Sequence, residues 1–455
     1  MDASSKGTNV PDSDTSPPVT FAEATLYWLK LGFISFGGPA GQIAIMHHDL
    51  VEKKRWISES RFLHALNYCI LLPGPEAQQL ATYIGWLMHR TPGGIVAGTL
   101  FVLPSFFILV GLAWIYMAYG SAPAVAGILY GFKPAVVAIV LSAAYRIGSR
   151  VLKNPITWSI AALAFLAIFV FELPFPFIVL VAGLIGYLAG HFAPDHFRTA
   201  SAHGTDRTGS ESAWIDDHTP IPPHALFSGA KFVRTTAAGL VIWATVMGAL
   251  YLGFGWNSTF TQAGWFFTKA ALLTFGGAYA VLPYIYQGAV EHYQWLTPIQ
   301  MIDGLALGET TPGPLIMVVT FVGFVSGWGK AVLGSDALFA SAFITSAIAT
   351  FFTFLPSFIF ILLGGPFIET THGNLKLTAP LTGITAAVVG IILNLALFFA
   401  YHVFWISGID GPVDWISVAL AGLSLIALFR FNSGVIPVIL GCGLGGMVLR
   451  SLLPQ

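Results

Sequence analysis

Hydrophobic residues along this chain fall in long runs. Runs able to cross about 30 Å of hydrocarbon lie at 93–119, 125–148, 156–172, 175–192, 236–256, 337–363, 381–403, 414–430 and 434–451. They predict an all-α polytopic membrane protein. Two more apolar stretches, 21–56 and 60–90, are interrupted midway, at Phe36-Gly37-Gly38-Pro39 and at Leu72-Pro73-Gly74-Pro75. Proline lacks an N–H and clashes with the preceding turn, and glycine frees the backbone, so both sites should unwind a helix at membrane depth.

Polar stretches punctuate this pattern. Residues 1–20 lack the basic-then-apolar order of a signal peptide and read as a disordered cytoplasmic tail. Residues 193–235 hold Asp195, Arg198, Asp206, Arg207, Glu211, Asp216 and Asp217 and read as a soluble cytoplasmic linker. Its histidines, His196, His203, His218 and His224, show no ligand spacing, so no metal site is expected.

The chain repeats itself. Adding 239 carries Phe36-Gly37-Gly38 onto Phe275-Gly276-Gly277, Trp56 onto Trp295, and Pro73-Gly74-Pro75 onto Pro312-Gly313-Pro314. After an insertion of 13 residues the offset becomes 252, and Leu103-Pro104-Ser105-Phe106 matches Leu355-Pro356-Ser357-Phe358. The expected organisation is a first repeat at 21–192, the linker, a connecting transmembrane helix at 236–257, and a second repeat at 258–455. One extra crossing between halves of even span number would invert the second half. Charge agrees: the first-half loop carries Lys53, Lys54 and Arg55, whereas its counterpart carries His292, Tyr293 and Gln294. Cytoplasmic loops favour Lys and Arg, so the two loops should face opposite sides. Keeping the basic loop cytoplasmic also requires the broken segments to enter and leave by one side. The fold expected is therefore two inverted-topology repeats with broken, re-entrant helical hairpins, the N-terminus cytoplasmic and the C-terminus periplasmic.

Irregular backbone survives at membrane depth where it lines a polar cavity. A helix restarting there points free N–H groups and its positive dipole end inward. Four such breaks suit a small anion at the midplane of an inverted-repeat transporter. The candidate binding residues are Gly37, Gly38, Pro73, Gly74 and Pro75, with Gly276, Gly277, Pro312, Gly313 and Pro314. Lys30 and Lys269, each six residues ahead of its Phe-Gly-Gly, are matched cations at a depth where a lysine is expensive unless it faces a cavity or a partner, or snorkels to the interface. Ser35 and Thr274 are a matched hydroxyl pair. Gln79, Thr310 and Thr311 add neutral polar groups. Glu76 and Glu309 flank the breaks and are candidates for proton coupling.

Composition narrows the class further. Hydrophobic residues make up 56% and charged residues 9%, against about 25% charged in soluble domains. A net charge of −1 argues against nucleic acid as a partner, leaving lipid and a small solute; a homo-oligomer is compatible with this class. Cys69 and Cys442 are isolated and read as core residues. There is no dinucleotide fingerprint or His-Glu zinc signature, so no cofactor is expected.

The ordered motifs resemble the chromate ion transporter family in its long, two-domain form. The resemblance rests on Phe36-Gly37-Gly38-Pro39-Ala40, Arg55-Trp56, Leu72-Pro73-Gly74-Pro75 with Gln79-Leu80-Ala81, and, in the second half, Thr274-Phe275-Gly276-Gly277, Trp295-Leu296-Thr297 and Asp303 through Pro314; it covers about 21–455. Where many relatives carry a histidine after Gly-Gly-Pro-Ala, this chain has Gly41-Gln42. The resemblance implies chromate export across the bacterial inner membrane and chromate resistance, with sulfate as a chemical mimic. A dianion leaving a negative interior gains roughly 4–5 kcal/mol per 100 mV, so membrane potential, protons or both could drive it. The alternatives are uptake of sulfate or another oxyanion, an anion channel, and an intramembrane enzyme. The last would need a nucleophile–base pair; His64 and Cys69 are not repeated as a pair in the second half, where Asp303 and Gly308 stand.

Overall fold

The computed structural model describes residues 18–192, 213–216, 219–220, 222–275, 277–370, 378–405, 408 and 410–452. Among these the chain is a bundle of α-helices with one isolated β-bridge, Ile57 to Ile215. Every apolar run read from the sequence is a helix. Seven helices are long and apolar enough to cross a membrane, and shorter apolar helices accompany them.

The first half opens with α1 (Phe21–Ile34), capped by the Thr20 side chain on the Glu23 N–H. After the Phe-Gly-Gly break comes α2 (Gly38–His47), which runs into one π-helical turn at His48–Lys53. Next come α3 (Glu59–Leu71), the Pro-Gly-Pro break, and α4 (Glu76–Tyr119). Then follow α5 (Pro123–Val151), α6 (Pro155–Phe169) and α7 (Phe175–Phe192). The connecting helix α8 is Gly229–Phe254. It begins ahead of the expected 236 because its first turns carry Lys231 and Arg234, which the apolar run excludes. The second half repeats the order: α9 (Thr259–Leu272), α10 (Ala278–Tyr286), a π-helical turn at Gln287–His292, and α11 (Pro298–Thr310). It continues with α12 (Val318–Lys330), α13 (Leu338–Thr370), α14 (Thr378–Phe404), α15 (Trp415–Arg430) and α16 (Val435–Leu452).

The repeat reaches single backbone angles. Arg55 and Gln294, 239 apart, both have positive φ, at 50° and 49°. Glu172 and Asn432 share φ 49° at a spacing of 260. The last two helices therefore follow a third offset, displaced by a further insertion between α14 and α15.

The two ends of the first broken segment meet. Glu23, at the start of α1, pairs with Lys54 beyond α2 at 3.6 Å. α4 itself is bent at His89 and Arg90, where Arg90 takes φ 57°. Its first limb folds onto its second, so a Cβ on Gly85 would lie 2.5 Å from the Gly93 carbonyl oxygen. His89 at the bend meets the Val19 carbonyl at 3.0 Å, beside the start of α1. At about 1.5 Å per residue, α1, α2 and α3 each fall short of 30 Å.

Long helices are exchanged between the halves. α5 packs against α15 and α16 of the second half, and α14 against α6 and α7 of the first. Small residues make both seams. A Cβ on Gly131 would meet the Cys442 carbonyl oxygen, and one on Gly383 would meet the Ala182 carbonyl oxygen at 2.5 Å. Adding 252 takes Gly131 to Gly383, and adding 260 takes Ala182 to Cys442. Close approach of small residues replaces the hydrophobic effect as the packing force in lipid.

The described part of the linker is not free. Ile215 and Ala225 are buried, Trp214 N–H donates to the Arg55 carbonyl, and His224 contacts the Trp86 carbonyl at 3.0 Å. His196, His203, His218 and residues 1–17, read above as metal-free loop histidines and a tail, lie outside the described residues.

Candidate functional site: a cavity at the helix breaks

The four breaks meet in pairs. Gly74 N–H donates to the Thr274 carbonyl at 2.7 Å, and Gly313 N–H donates to the Ser35 carbonyl at 2.7 Å. Each Pro-Gly-Pro of one half thus bonds the residue preceding Phe-Gly-Gly in the other. Such a bond adds about 0.5–1.5 kcal/mol when made, and an unpaired buried N–H costs more than that. Gly74 (φ 131°) and Gly313 (φ 94°) adopt a backbone that only glycine takes without strain.

Beside this junction lies a cavity of about 740 Å³. Its floor holds Gly37, Gly38, Gly277, Glu76, Tyr279 and Glu309. One wall is the second half of α5, including Ser142, Arg146 and Arg150, and another is the start of α14, with Thr382 and Thr385. α2 and α10 both begin at this floor, with Gly37 and Gly277 as N-caps at φ 90° and 97°. Two helix N-termini and two arginines therefore face one space, an arrangement that attracts an anion. Two acids face it as well. The Tyr279 hydroxyl donates to the Glu309 carboxylate. A Cβ on Gly277 would lie 3.6 Å from Glu76 Oε1, which puts that carboxylate at the start of α10.

The sequence-derived candidates divide. Gly37, Gly38, Gly277, Glu76 and Glu309 line the cavity; Lys30 and Lys269 do not. Lys30 is exposed on α1, on the face opposite buried Tyr27, Trp28 and Leu31. Lys269 lies over the Trp265 ring, 5.7 Å from its centroid. The matched spacing holds, but the helix turns both lysines outward. Ser35, Gly74, Thr274 and Gly313 form the junction, with Pro73, Pro75, Pro312 and Pro314 flanking it. Gln79 donates to the Pro73 carbonyl at 2.8 Å. The Thr310 and Thr311 hydroxyls bond the Leu307 and Gly308 carbonyls of their own helix. These side chains shape the breaks without lining the cavity. Gly276 lies outside the described residues.

Sequence reading missed two groups. Arg146 and Arg150 sit at and just past the end of the apolar run 125–148. Gln42 donates to the Gly313 carbonyl at 2.5 Å and ties α2 to the opposite half. Among the described residues no His, Cys, Asp and Glu cluster could hold a metal ion.

An all-helical membrane bundle with an anion-attracting cavity at unwound helix ends is the architecture of a polytopic membrane protein that handles a small charged solute. Its sequence relatives are more specific. The chain belongs to the chromate transporter family, whose profile matches residues 22–187 and again 261–447. A chromate transport protein of Pseudomonas aeruginosa is 31% identical over 453 residues, covering 98% of this chain and 96% of that protein. One from Cupriavidus metallidurans is 30% identical over 443 residues, 96% of each chain. A probable chromate transport protein of Synechococcus elongatus is 28% identical over 387 residues, 84% of this chain and 86% of that one. No solved structure matches the chain.

Proposed function

We propose that this protein exports chromate from the cytoplasm across the inner membrane, and that the cavity at the helix breaks is its loading site. The observation that carries this is the convergence of Arg146, Arg150 and the starts of α2 and α10 on one space. A tetrahedral dianion offers acceptor oxygens to each, and Arg presents a planar fork of donors suited to oxyanions. Membrane potential suffices to drive export, at roughly 4–5 kcal/mol per 100 mV for a dianion. Glu76 and Glu309 face the same cations and are placed to exchange a proton during the cycle.

Two inverted repeats with re-entrant hairpins give this site its setting. Reciprocal bonds at the breaks, and exchange of α5 and α14 between halves, support a two-fold relation. The cavity is lined by the end of α5 and the start of its equivalent, α14, which favours opposite orientation. The Glu23–Lys54 pair favours return of the first broken segment to its side of entry. With the basic loop at Lys53–Arg55 cytoplasmic, the N-terminus is cytoplasmic, the C-terminus periplasmic, and the cavity opens inward.

The test is chromate accumulation in chromate-sensitive bacteria at matched expression. Wild-type protein should lower cellular chromate, Arg146→Gln should abolish that effect, and Lys30→Ala and Lys269→Ala should retain it. Unchanged or raised chromate with wild type would reject export and direct attention to oxyanion uptake.

A further inference from the structure

The cavity lies to one side of the breaks, and several residues that wall it in the first half have second-half equivalents that are buried. Ile43 and Leu66 line the open cavity; their equivalents, Leu282 and Leu305, are 0% and 2% exposed. The contrast is sharpest on α5 and α14. Arg146 and Ile147 face the cavity, while their equivalents Phe398 and Phe399 fill the corresponding space. Phe398 stands 4.7 Å from the Tyr286 ring and 4.0 Å from the His402 ring. One surface is thus solvated in the first half and sealed by aromatic rings in the second.

A cation waits behind that seal. Thr385 lines the open cavity, and subtracting 252 gives Lys133 on α5. The cavity wall on α5 begins at Ile139, so Lys133 lies about 9 Å deeper along the axis, at 1.5 Å per residue. α5 packs against α11, which carries Asp303. Asp303 is 2% exposed. One of its carboxylate oxygens accepts from the Tyr116 hydroxyl at 3.1 Å, and the other meets no hydrogen-bond partner among the described residues. A half-buried ammonium at membrane depth is expensive unless it faces a cavity or a partner, and a buried carboxylate oxygen without a hydrogen bond is expensive too. Lys133 becomes useful if it meets an anion during the cycle.

We propose that the chain holds a second oxyanion station on the far side of the breaks, closed in this conformation, with Lys133 as its cation. The inference rests on the transport reading above and adds a release site to it. In the cycle the Phe398–Tyr286 seal parts, the cavity at Arg146 closes, and the dianion passes to Lys133. The ligand is a doubly charged tetrahedral oxyanion at both stations. Lys133 sets affinity on the outer face, and Arg146 on the inner.

Radiochromate uptake into right-side-out and everted membrane vesicles separates the two faces. Lys133→Gln should raise the half-saturating chromate concentration about tenfold in right-side-out vesicles, as loss of one close charge pair does, and leave it within about twofold in everted ones. Arg146→Gln should do the reverse. Lys133→Arg should restore the outer-face value, and Lys133→Met fills the same space without charge should the glutamine variant fail to fold. Equal effects of Lys133 substitution on both faces, or none on either, would overturn the second station. Wild-type vesicles without saturable chromate uptake from either face would instead overturn the transport reading on which it rests.

Discussion

Single glycines hold the junction together, and they differ in what they tolerate. A Cβ on Gly74 would collide with Ser357 Oγ and lie 2.6 Å from Gln79 Nε2, at φ 131°. One on Gly313 would lie 2.8 Å from Ser105 Cβ, at φ 94°. Gly38 also has positive φ, 70°, but a Cβ there meets nothing within 4 Å. Backbone strain alone costs about 1–2 kcal/mol for a non-glycine residue in the left-handed region. Gly74→Ala and Gly313→Ala add a steric collision and should lower the melting temperature of detergent-purified protein clearly more than Gly38→Ala. Equal melting temperatures for the three variants would remove the junction from the account. At this scale the sequence was only partly legible. Register across the repeat picks out Gly74 and Gly313, because a second copy 239 residues on preserves both. The same register favours Lys30 and Lys269, yet it says nothing about which way a helix turns them. α1 buries Tyr27, Trp28 and Leu31, and Lys30 is left on the other face. Arg146 has the opposite history: the end of an apolar run resembles a loop, whereas α5 continues to Val151 and carries both arginines along the cavity wall.

Helices cross between the halves along seams of small residues, and these seams fix the scaffold around the cavity. On α16, Gly446 approaches Gly131 of α5, with a Cβ placed 2.5 Å from the Gly131 nitrogen. On α7, Gly186 approaches Gly383 of α14 at 3.1 Å from its Cα. Gly441, on another face of α16, meets nothing within 4 Å. Gly131→Val and Gly383→Val should therefore each wedge a seam apart, at a cost of about 1–3 kcal/mol or more for overpacking, and cut the monodisperse fraction in size-exclusion chromatography. Gly441→Val should behave as wild type; a loss equal to that of Gly131→Val would contradict the seam. Helix positions were readable from hydropathy, since all nine long runs are helices. The fold-back at His89 and Arg90 was marked too: it falls between the stretches 60–90 and 93–119, at Pro92-Gly93-Gly94. One feature was not. The 260-residue register of α15 and α16 was hidden by an insertion in the loop before them, and the small residues that reveal it are too common in membrane helices to align unaided.

Across the whole molecule, two copies of one design enclose a single asymmetric space. The breaks are symmetric, as the paired bonds of Gly74 and Gly313 require. The walls are not: Arg146 and Arg150 on one side answer to Phe398 and His402 on the other. Such asymmetry gives a carrier a direction of rest, with the cationic mouth open and the aromatic one closed. Glu76 and Glu309 have no acidic equivalents either, since Leu315 and Ile70 occupy those positions. Sequence alone pointed to a membrane protein with an anion site at the breaks; it could not place the arginines opposite the acids, because that depends on α5 crossing into the second half. The central claim is that this cavity carries chromate. Its most direct test is chromate flux by purified protein in liposomes under an imposed membrane potential, with Arg146→Gln beside wild type. The account predicts saturable flux that follows the potential and falls at least about tenfold in the variant, as expected when a charged partner of a desolvated anion is removed. No flux from correctly folded wild-type protein, or equal flux from Arg146→Gln, would contradict it.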